Sequence, residues 1–111
     1  MDIMVSTTFD IQGYKVKEYK GIVRGIIVRS PTIAQGIFGG LKGMIGGNID
    51  AFSEMCEQSR AQAFEMMLQH AAQVGANAVI GVRYDASEVV ASESATEVLC
   101  YGTAVVVEPQ H

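Results

Sequence analysis

The chain has little of what marks a secreted or membrane protein. Its 111 residues include two cysteines, two prolines and no tryptophan. Two cysteines, Cys56 and Cys100, are too few for a disulfide framework and fit a reducing cytoplasm. No apolar run reaches the roughly 18 residues that a membrane-spanning helix needs. The chain begins with MDIMVS, which has no basic segment before an apolar one. We therefore expect a cytoplasmic protein with no signal peptide and no membrane partner.

Motifs that would mark catalysis or a built metal site are also missing. There is no CxxC pair, no nucleotide fingerprint and no Ser/His/Asp spacing above chance. The chain holds two cysteines and two histidines in all, whereas a structural zinc site normally gathers four such ligands. A net charge of −4 argues against a nucleic-acid partner, because such proteins present a basic surface. We therefore expect no evident cofactor and no catalytic machinery.

Apolar residues, by contrast, are abundant. They make up 49% of the chain, and a small globule has limited room to hide them in one core. Apolar surface left outside a core needs a partner, and most soluble oligomers are built from identical subunits. The composition therefore predicts a homo-oligomer. Each subunit is expected to be a single domain at residues 1–108, with residues 109–111 as a tail.

The chain is organised around residues 48–85, which predict a long helix followed at once by a strand. Residues 48–74 contain neither proline nor glycine, and apolar side chains recur there at helical spacing. Gly75 supplies the left-handed residue that commonly ends a helix. From residue 78 to residue 85 the side chains alternate as in a strand. A helix joined so closely to a strand is expected to fold back over its own sheet.

The flanking segments predict the rest of the sheet. We expect strands at residues 2–8, 14–30 and 97–108, with residues 86–95 as a hairpin connection that contains strand fragments. Gly21 and Gly25 interrupt the second of these strands at sites where bulges or bends fit. The last strand is apolar on both faces, which predicts that both of its faces are covered.

Residues 32–47 are unusual because glycine recurs there beside apolar side chains at four-residue spacing. This pattern predicts a short helix that holds only when packed closely, since each glycine costs about 0.8–1 kcal/mol relative to alanine. Small residues at this spacing also pair helices in membranes, but the segment is too short to span one and Lys42 interrupts it. A helix packed over the sheet or at a subunit contact is the favoured interpretation.

Several short stretches together resemble one known family. They are VSTT at residues 5–8, Glu18 and Tyr19 with Gly21, Val23 and Gly25, IGG at 45–47, Arg60 with Ala63, GANAVIGV at 75–82 and GTAV at 102–105. The sequence resembles the YbjQ-like family, whose members carry a heavy-metal-binding label, over nearly the whole chain. The resemblance implies a subunit similar to that of dodecin, of α+β class, with an antiparallel sheet and one long and one short helix packed on one side. It also implies assembly into a ring, commonly a pentamer.

Cys56, Cys100 and His70 are the candidate metal ligands. A thiolate is the ligand that Cu(I), zinc or a metalloid prefers, and imidazole binds several transition metals. Cys56 falls on the apolar stripe of the long helix and Cys100 in the last strand, so burial as small hydrophobic residues is the alternative for both. For His70 the alternative is a hydrogen bond at the edge of the core or at a subunit contact.

Arg60 is the candidate for an anion site or a subunit contact. It lies within the apolar face of the long helix, where a charge needs a partner such as Glu57 or a carboxylate of a neighbouring subunit. An enzyme site shared between subunits would be built around Arg60, Tyr84 or Tyr101, and this hypothesis ranks last. The sequence therefore predicts a small oligomeric protein that binds a ligand or ion, with thiol-based soft-metal carriage as the alternative.

Overall fold

The structure, a computed structural model, describes residues 2–29, 49–90 and 95–110. In chain order its elements are β1 (Met4–Val5), β2 (Tyr14–Arg29), α1 (Ile49–Gln73), β3 (Ala78–Val90) and β4 (Ala95–Pro109). The α+β class and the long helix are confirmed. The first strand is shorter than predicted, and β3 continues to Val90 through the expected hairpin connection. The predicted glycine-rich helix at residues 32–47 lies outside the described residues.

The end of α1 follows the predicted glycine stop. Gly75 has a φ of 82°, a backbone conformation that glycine adopts without a side-chain clash. The N–H of Ala76 donates to the carbonyl of Ala71, and that of Gly75 to Ala72, both at 3.0 Å. These bonds satisfy carbonyls that the last turn would otherwise leave open. Within the described residues, no helix combines the length and apolar character needed to cross a membrane.

The side chain of Asn77, the residue before β3, pairs with the backbone of β4. Its side-chain amide donates to the carbonyl of Val107 at 2.9 Å, while its Oδ1 accepts from the N–H of Val107 at 2.8 Å. The two bonds reproduce a strand pairing with side-chain atoms. They hold the turn after α1 against β4, so the helix is followed immediately by a paired strand.

The sheet has the order β1-β3-β4-β2, and it is mixed rather than antiparallel. Strand β4 pairs antiparallel with both β3 and β2. The short β1, however, runs parallel to β3, with Met4 opposite Ala78 and Val5 opposite Val79. The prediction of a purely antiparallel sheet is therefore wrong. A parallel partner is possible here because the whole of β2 and α1 lies between β1 and β3 in the chain, which provides the long crossover that parallel pairing needs.

The two glycines of β2 have different roles. Register shifts fall between Val16 and Glu18 and between Tyr19 and Gly21, and Gly21 has a φ of 101°. The bulge predicted at Gly21 is thus confirmed. Gly25 pairs in register with Cys100 and forms no bulge. Its lack of a side chain instead makes room for the helix.

Helix α1 packs on one face of the sheet with its backbone close to β2. A Cβ atom on Gly25 would lie 2.8 Å from the main-chain nitrogen of Met67 and would also collide with the carbonyl oxygen of Ala63. Beside this contact lies the main core, which is formed by Val23, Ala63, Met67, Ala71, Val79, Val82, Val98, Cys100 and Ala104. Arg29 extends the contact at the end of β2, where its Nε donates to Oγ of the buried Ser59 at 3.0 Å.

The opposite face of the sheet is covered only in part by the described chain. A second small core of Ala78, Ile80, Val105 and Val107 lies at one end, where Met4, Ile11 and Val16 pack against it. Beyond this core the strand pairing aligns a further set of side chains on the same face. We call this set the open face; it comprises the apolar and aromatic residues Tyr19, Ile22, Ile26, Val28, Leu99 and Tyr101 together with the polar residues Arg24, Glu97 and Thr103. Ile22 is 73% exposed and Tyr19 is 69% exposed.

Gly25→Ala tests the close contact between helix and strand. The added methyl group meets backbone atoms of α1 that cannot rotate away, so we expect a loss of about 1–3 kcal/mol in the free energy of unfolding. Arg24→Ala is the matched control, because this neighbouring side chain is exposed and should change stability by about 0.5 kcal/mol or less. Urea denaturation of both variants measures the difference. Equal stability of the two variants would contradict the packing described here.

Candidate functional site

The side of the sheet that faces the helix holds a pair of sulfur atoms. Cys100 comes from β4 and Met67 from α1, and both side chains are fully buried. The Cys100 thiol points its Sγ at the Sδ of Met67, 3.7 Å away. Strand alternation places Cys100 on this face, and the close approach of α1 at Gly25 places Met67 above it. The result is a thiol and a thioether in contact within the main core.

Tyr84 and Arg60 border this sulfur pair. Tyr84 is opposite Cys100 in the β3–β4 register, and the Arg60 guanidinium lies over its ring, 5.2 Å from the centroid. Burial is the main cause that raises the pKa of Tyr84, and the nearby Cys100 raises it further. Burial likewise raises the pKa of the Cys100 thiol, an effect that a hydrogen bond from Tyr84 opposes. The thiol is therefore protonated at neutral pH, and a metal would have to displace its proton.

Cys56 does not join Cys100. Cys56 is exposed although helical spacing places it on the apolar stripe, so the alternative of burial as a small hydrophobic residue is wrong for this cysteine. It lies almost one turn before Ser59, the residue that Arg29 contacts at the very end of β2. The described part of β2 therefore does not extend under Cys56. Among the described residues, no group of three or more His, Cys, Asp and Glu side chains could hold a metal ion.

His70 has the structural role that was considered as its alternative. Its Nδ1 accepts a hydrogen bond from the main-chain N–H of Arg24 at 3.2 Å. The imidazole thus occupies a backbone donor of β2 and joins this strand to the last turns of α1. Neither described cysteine shares a hydrogen bond with it. Only Nε2 is left for another partner.

The sequence predicted Arg60 within the apolar face of α1, and this prediction is wrong. Arg60 is exposed at the margin of the buried stripe, because it follows the buried Ser59 and so points about 100° away around the helix. Within the described residues Arg60 lies over the ring of Tyr84 and forms no ion pair with Glu57. A cation over a tyrosine ring is a contact that tolerates partial exposure. Tyr101 lies on the opposite face of the sheet from this pair.

The open face carries a feature that sequence patterns did not indicate. A shallow cavity of about 290 Å³ is lined by Phe9, Ile22, Gly81, Arg83, Tyr101, Gly102 and Thr103. Among these residues only Tyr101 was a candidate from the sequence. Two of the stretches that carry the family resemblance contribute to this lining, namely residues 75–82 through Gly81 and residues 102–105 through Gly102 and Thr103. Arg83 could have been found from the strand alternation, because Val82 and Tyr84 face the helix and the residue between them faces away from it.

The raised pKa of Cys100 predicts a loss of stability at alkaline pH. Above pH 8.5, the approximate pKa of an unfolded thiol, the unfolded chain releases a proton that the folded chain keeps. The free energy of unfolding should therefore fall with rising pH, by at most about 1.4 kcal/mol per pH unit for one proton. Chemical denaturation between pH 8 and 9.5 measures this slope. It should be shallower in Cys100→Ala and unchanged in the control Cys56→Ala; equal slopes in all three proteins would refute the assignment.

The sequence and the fold of this chain are similar to those of known proteins. Residues 3–108 match a family model described as "Putative heavy-metal-binding". A UPF0145 protein of Legionella pneumophila (strain Lens) is 52% identical, covering 96% of this chain and all of its own length. A UPF0145 protein of Solibacter usitatus is 56% identical, covering 95% of this chain and 92% of its own length. A crystal structure from Pediococcus pentosaceus, of unknown function and assigned to the DUF74 family, shares the fold with a TM-score of 0.64 at 17% identity; the match covers 97% of this chain and all of that one.

Proposed function

The chain belongs to the YbjQ-like (UPF0145) family, and from that premise we propose that it is a homo-oligomeric protein that binds a small ligand or ion rather than catalysing a reaction. Its subunits would cover one another's open faces, in a ring of five as the family resemblance implies. The protein would act in the cytoplasm, where its two thiols stay reduced.

One observation carries this proposal: β4 is apolar on both faces, but α1 covers only one of them. Cys100 and Ala104 are fully buried toward the helix. On the other side, Ile22 and Val28 of the neighbouring β2 are 73% and 51% exposed. A strand with two apolar faces normally lies between two covering layers. A second copy of the chain would supply the layer that the described residues of one copy do not.

The shape of the protomer supports the same proposal. The radius of gyration is 17.4 Å, whereas a compact domain of this length would have about 13 Å. The principal extents are 59 × 26 × 20 Å, so the protomer is long and thin. A thin protomer exposes more of its apolar residues than a compact one does. Association with identical copies removes this surface from water and is favoured by the hydrophobic effect.

Val28→Lys tests the proposed subunit contact. Val28 is paired with Glu97 on the open face, so a lysine there gains an ion pair within the subunit and should not prevent folding. In the subunit contact this ion pair would lose its hydration, and the cost of desolvation can exceed the attraction between the two charges. Native mass spectrometry should show an oligomer, a pentamer on the family expectation, for the wild type and a monomer for the variant.

Met66→Lys is the matched control for this experiment. Met66 is an apolar residue with comparable exposure, 42%, but it belongs to α1 rather than to the open face. This variant should keep the wild-type mass. A wild-type chain that is monomeric at micromolar concentration would reject the oligomer altogether. An oligomer that survives Val28→Lys would place the contact on another surface.

A second candidate function is soft-metal carriage, which the sulfur pair of Cys100 and Met67 favours. Thiolate and thioether are the ligand types that select Cu(I). The two sulfurs already lie 3.7 Å apart, so one ion could bind both after small movements. The protein would then use one buried cysteine with a methionine rather than the two cysteines together.

Cu(I) competition titrations separate this candidate from the first. Cys100→Ser and Met67→Leu should each weaken Cu(I) binding at least tenfold, because each removes one of two soft ligands. Cys56→Ser, which removes the exposed thiol, should bind as the wild type does. Binding should also strengthen as pH rises, since the metal displaces the thiol proton. Loss of binding in Cys56→Ser alone, or no uptake by the wild type, would exclude the sulfur pair.

A further inference from the structure

The cavity on the open face has a floor of bare backbone. The β3–β4 register shifts between Ile80 and Arg83, so Gly81 lies at a break in the pairing with a φ of 63°. Its N–H donates instead to the carbonyl of Thr8 at 2.8 Å. A Cβ atom at Gly81 would lie 2.9 Å from the ring of Phe9. Because Gly81 lacks a side chain, the Phe9 ring lies close to the strand and forms one wall.

Arg83 is the single charged side chain among the seven that line this cavity. Its Nη1 donates to the carbonyl of Thr7 at 3.0 Å and to that of Val82 at 2.9 Å. Its guanidinium also lies 5.8 Å from the centroid of the Phe9 ring. These contacts hold the guanidinium in one orientation. The described hydrogen bonds use only Nη1, and a guanidinium carries five N–H donors, so Nε and Nη2 remain available to a ligand.

The rest of the lining combines apolar surface with two hydroxyl groups. Phe9 and Ile22 are 72% and 73% exposed, which is costly for such large side chains in water. Tyr101 and Thr103 supply hydroxyls on β4, within the same lining. Apolar walls with a few polar groups and one fixed charge are the usual composition of a small-molecule site. No carboxylate belongs to the lining, so the charge of Arg83 is not cancelled within it.

We propose that this cavity binds a small organic anion, a carboxylate carried on a flat aromatic body. The carboxylate would accept two parallel hydrogen bonds from Nε and Nη2 of Arg83, the geometry for which arginine is suited. The aromatic body would lie between Phe9 and Ile22. A volume of about 290 Å³ fits a compound of one or two rings. A single arginine, without further cations in the lining, matches a carboxylate better than a polyphosphate.

This inference rests on the proposed function, since it names the ligand that the oligomer would bind. Ile22 belongs both to the open face and to the cavity lining. The cavity therefore lies at the border of the proposed subunit contact. It is shallow in the protomer, and a neighbouring copy would close it over a bound anion.

The test uses 2-naphthoate as the probe and 2-naphthamide, which has the same rings but no charge, as the control ligand. Isothermal titration of the full chain should show naphthoate binding at least tenfold tighter than the amide. In Arg83→Gln the naphthoate affinity should fall at least tenfold, to that of the amide, because hydrogen bonds to a charged group are lost. Arg60→Gln, which removes an exposed arginine on the helix side, is the control and should bind as the wild type does.

Arg83 donates to the carbonyl of Thr7 and so holds the N-terminal segment, which means that Arg83→Gln could lose binding through misfolding. A second variant tests the site without this risk. Thr103→Val removes one lining hydroxyl and keeps the backbone pairing; it should weaken naphthoate several-fold and leave the melting temperature within a few degrees. Equal affinity for naphthoate and naphthamide, or equal loss in Arg60→Gln and Arg83→Gln, would overturn the proposal.

Native mass spectrometry of the same samples separates this proposal from the oligomer. An Arg83-dependent naphthoate site on a monomeric wild type would uphold the anion site and reject the proposed assembly. An oligomeric wild type without Arg83-dependent binding would reject the anion site and leave the assembly standing. Val28 lies outside the cavity lining, so Val28→Lys adds a further check. This variant should bind naphthoate more weakly than the wild type does, because it lacks the neighbouring copy that closes the cavity.

Discussion

The structure depends on one contact, the close approach of α1 to β2 at Gly25. The helix backbone lies so near the strand that a single added carbon at Gly25 would meet main-chain atoms of Ala63 and Met67. This contact sets the depth at which the helix packs, and it places the Met67 sulfur on Cys100. It also commits the one described helix to one face of the sheet. Among the residues that the structure describes, the segment around Ile11 covers one end of the opposite face.

The two faces of β4 have consequently become different environments. Cys100 and Tyr101 are neighbours in sequence, yet one lies in a dry core and the other in an open cavity. On the helix side, burial raises the pKa of the thiol, which suppresses its reactivity at neutral pH. On the open side, Arg83 presents a charge next to exposed apolar rings. Ligand chemistry is therefore expected on the open side, and sulfur chemistry only where a metal can displace the thiol proton.

Local patterns predicted the elements well because their signals lie within short stretches. Helical spacing without glycine or proline indicated α1, and Gly75 ended it as expected, with a φ of 82°. The two-residue alternation of residues 97–108 correctly separated the faces of β4. The site residues were predicted less well. Helical spacing set Cys56 on the buried stripe, but its side chain is exposed.

The sequence alone determined the period of each element and where the long helix stops. These are properties of neighbouring residues. Tertiary structure decided which face of the sheet α1 covers, that β1 pairs parallel to β3, and that Gly25 packs against the helix instead of forming a bulge. It also brought Arg83 to the carbonyl of Thr7, 76 positions away in the chain. Such contacts join residues with no local relation, so no spacing rule within a segment can encode them.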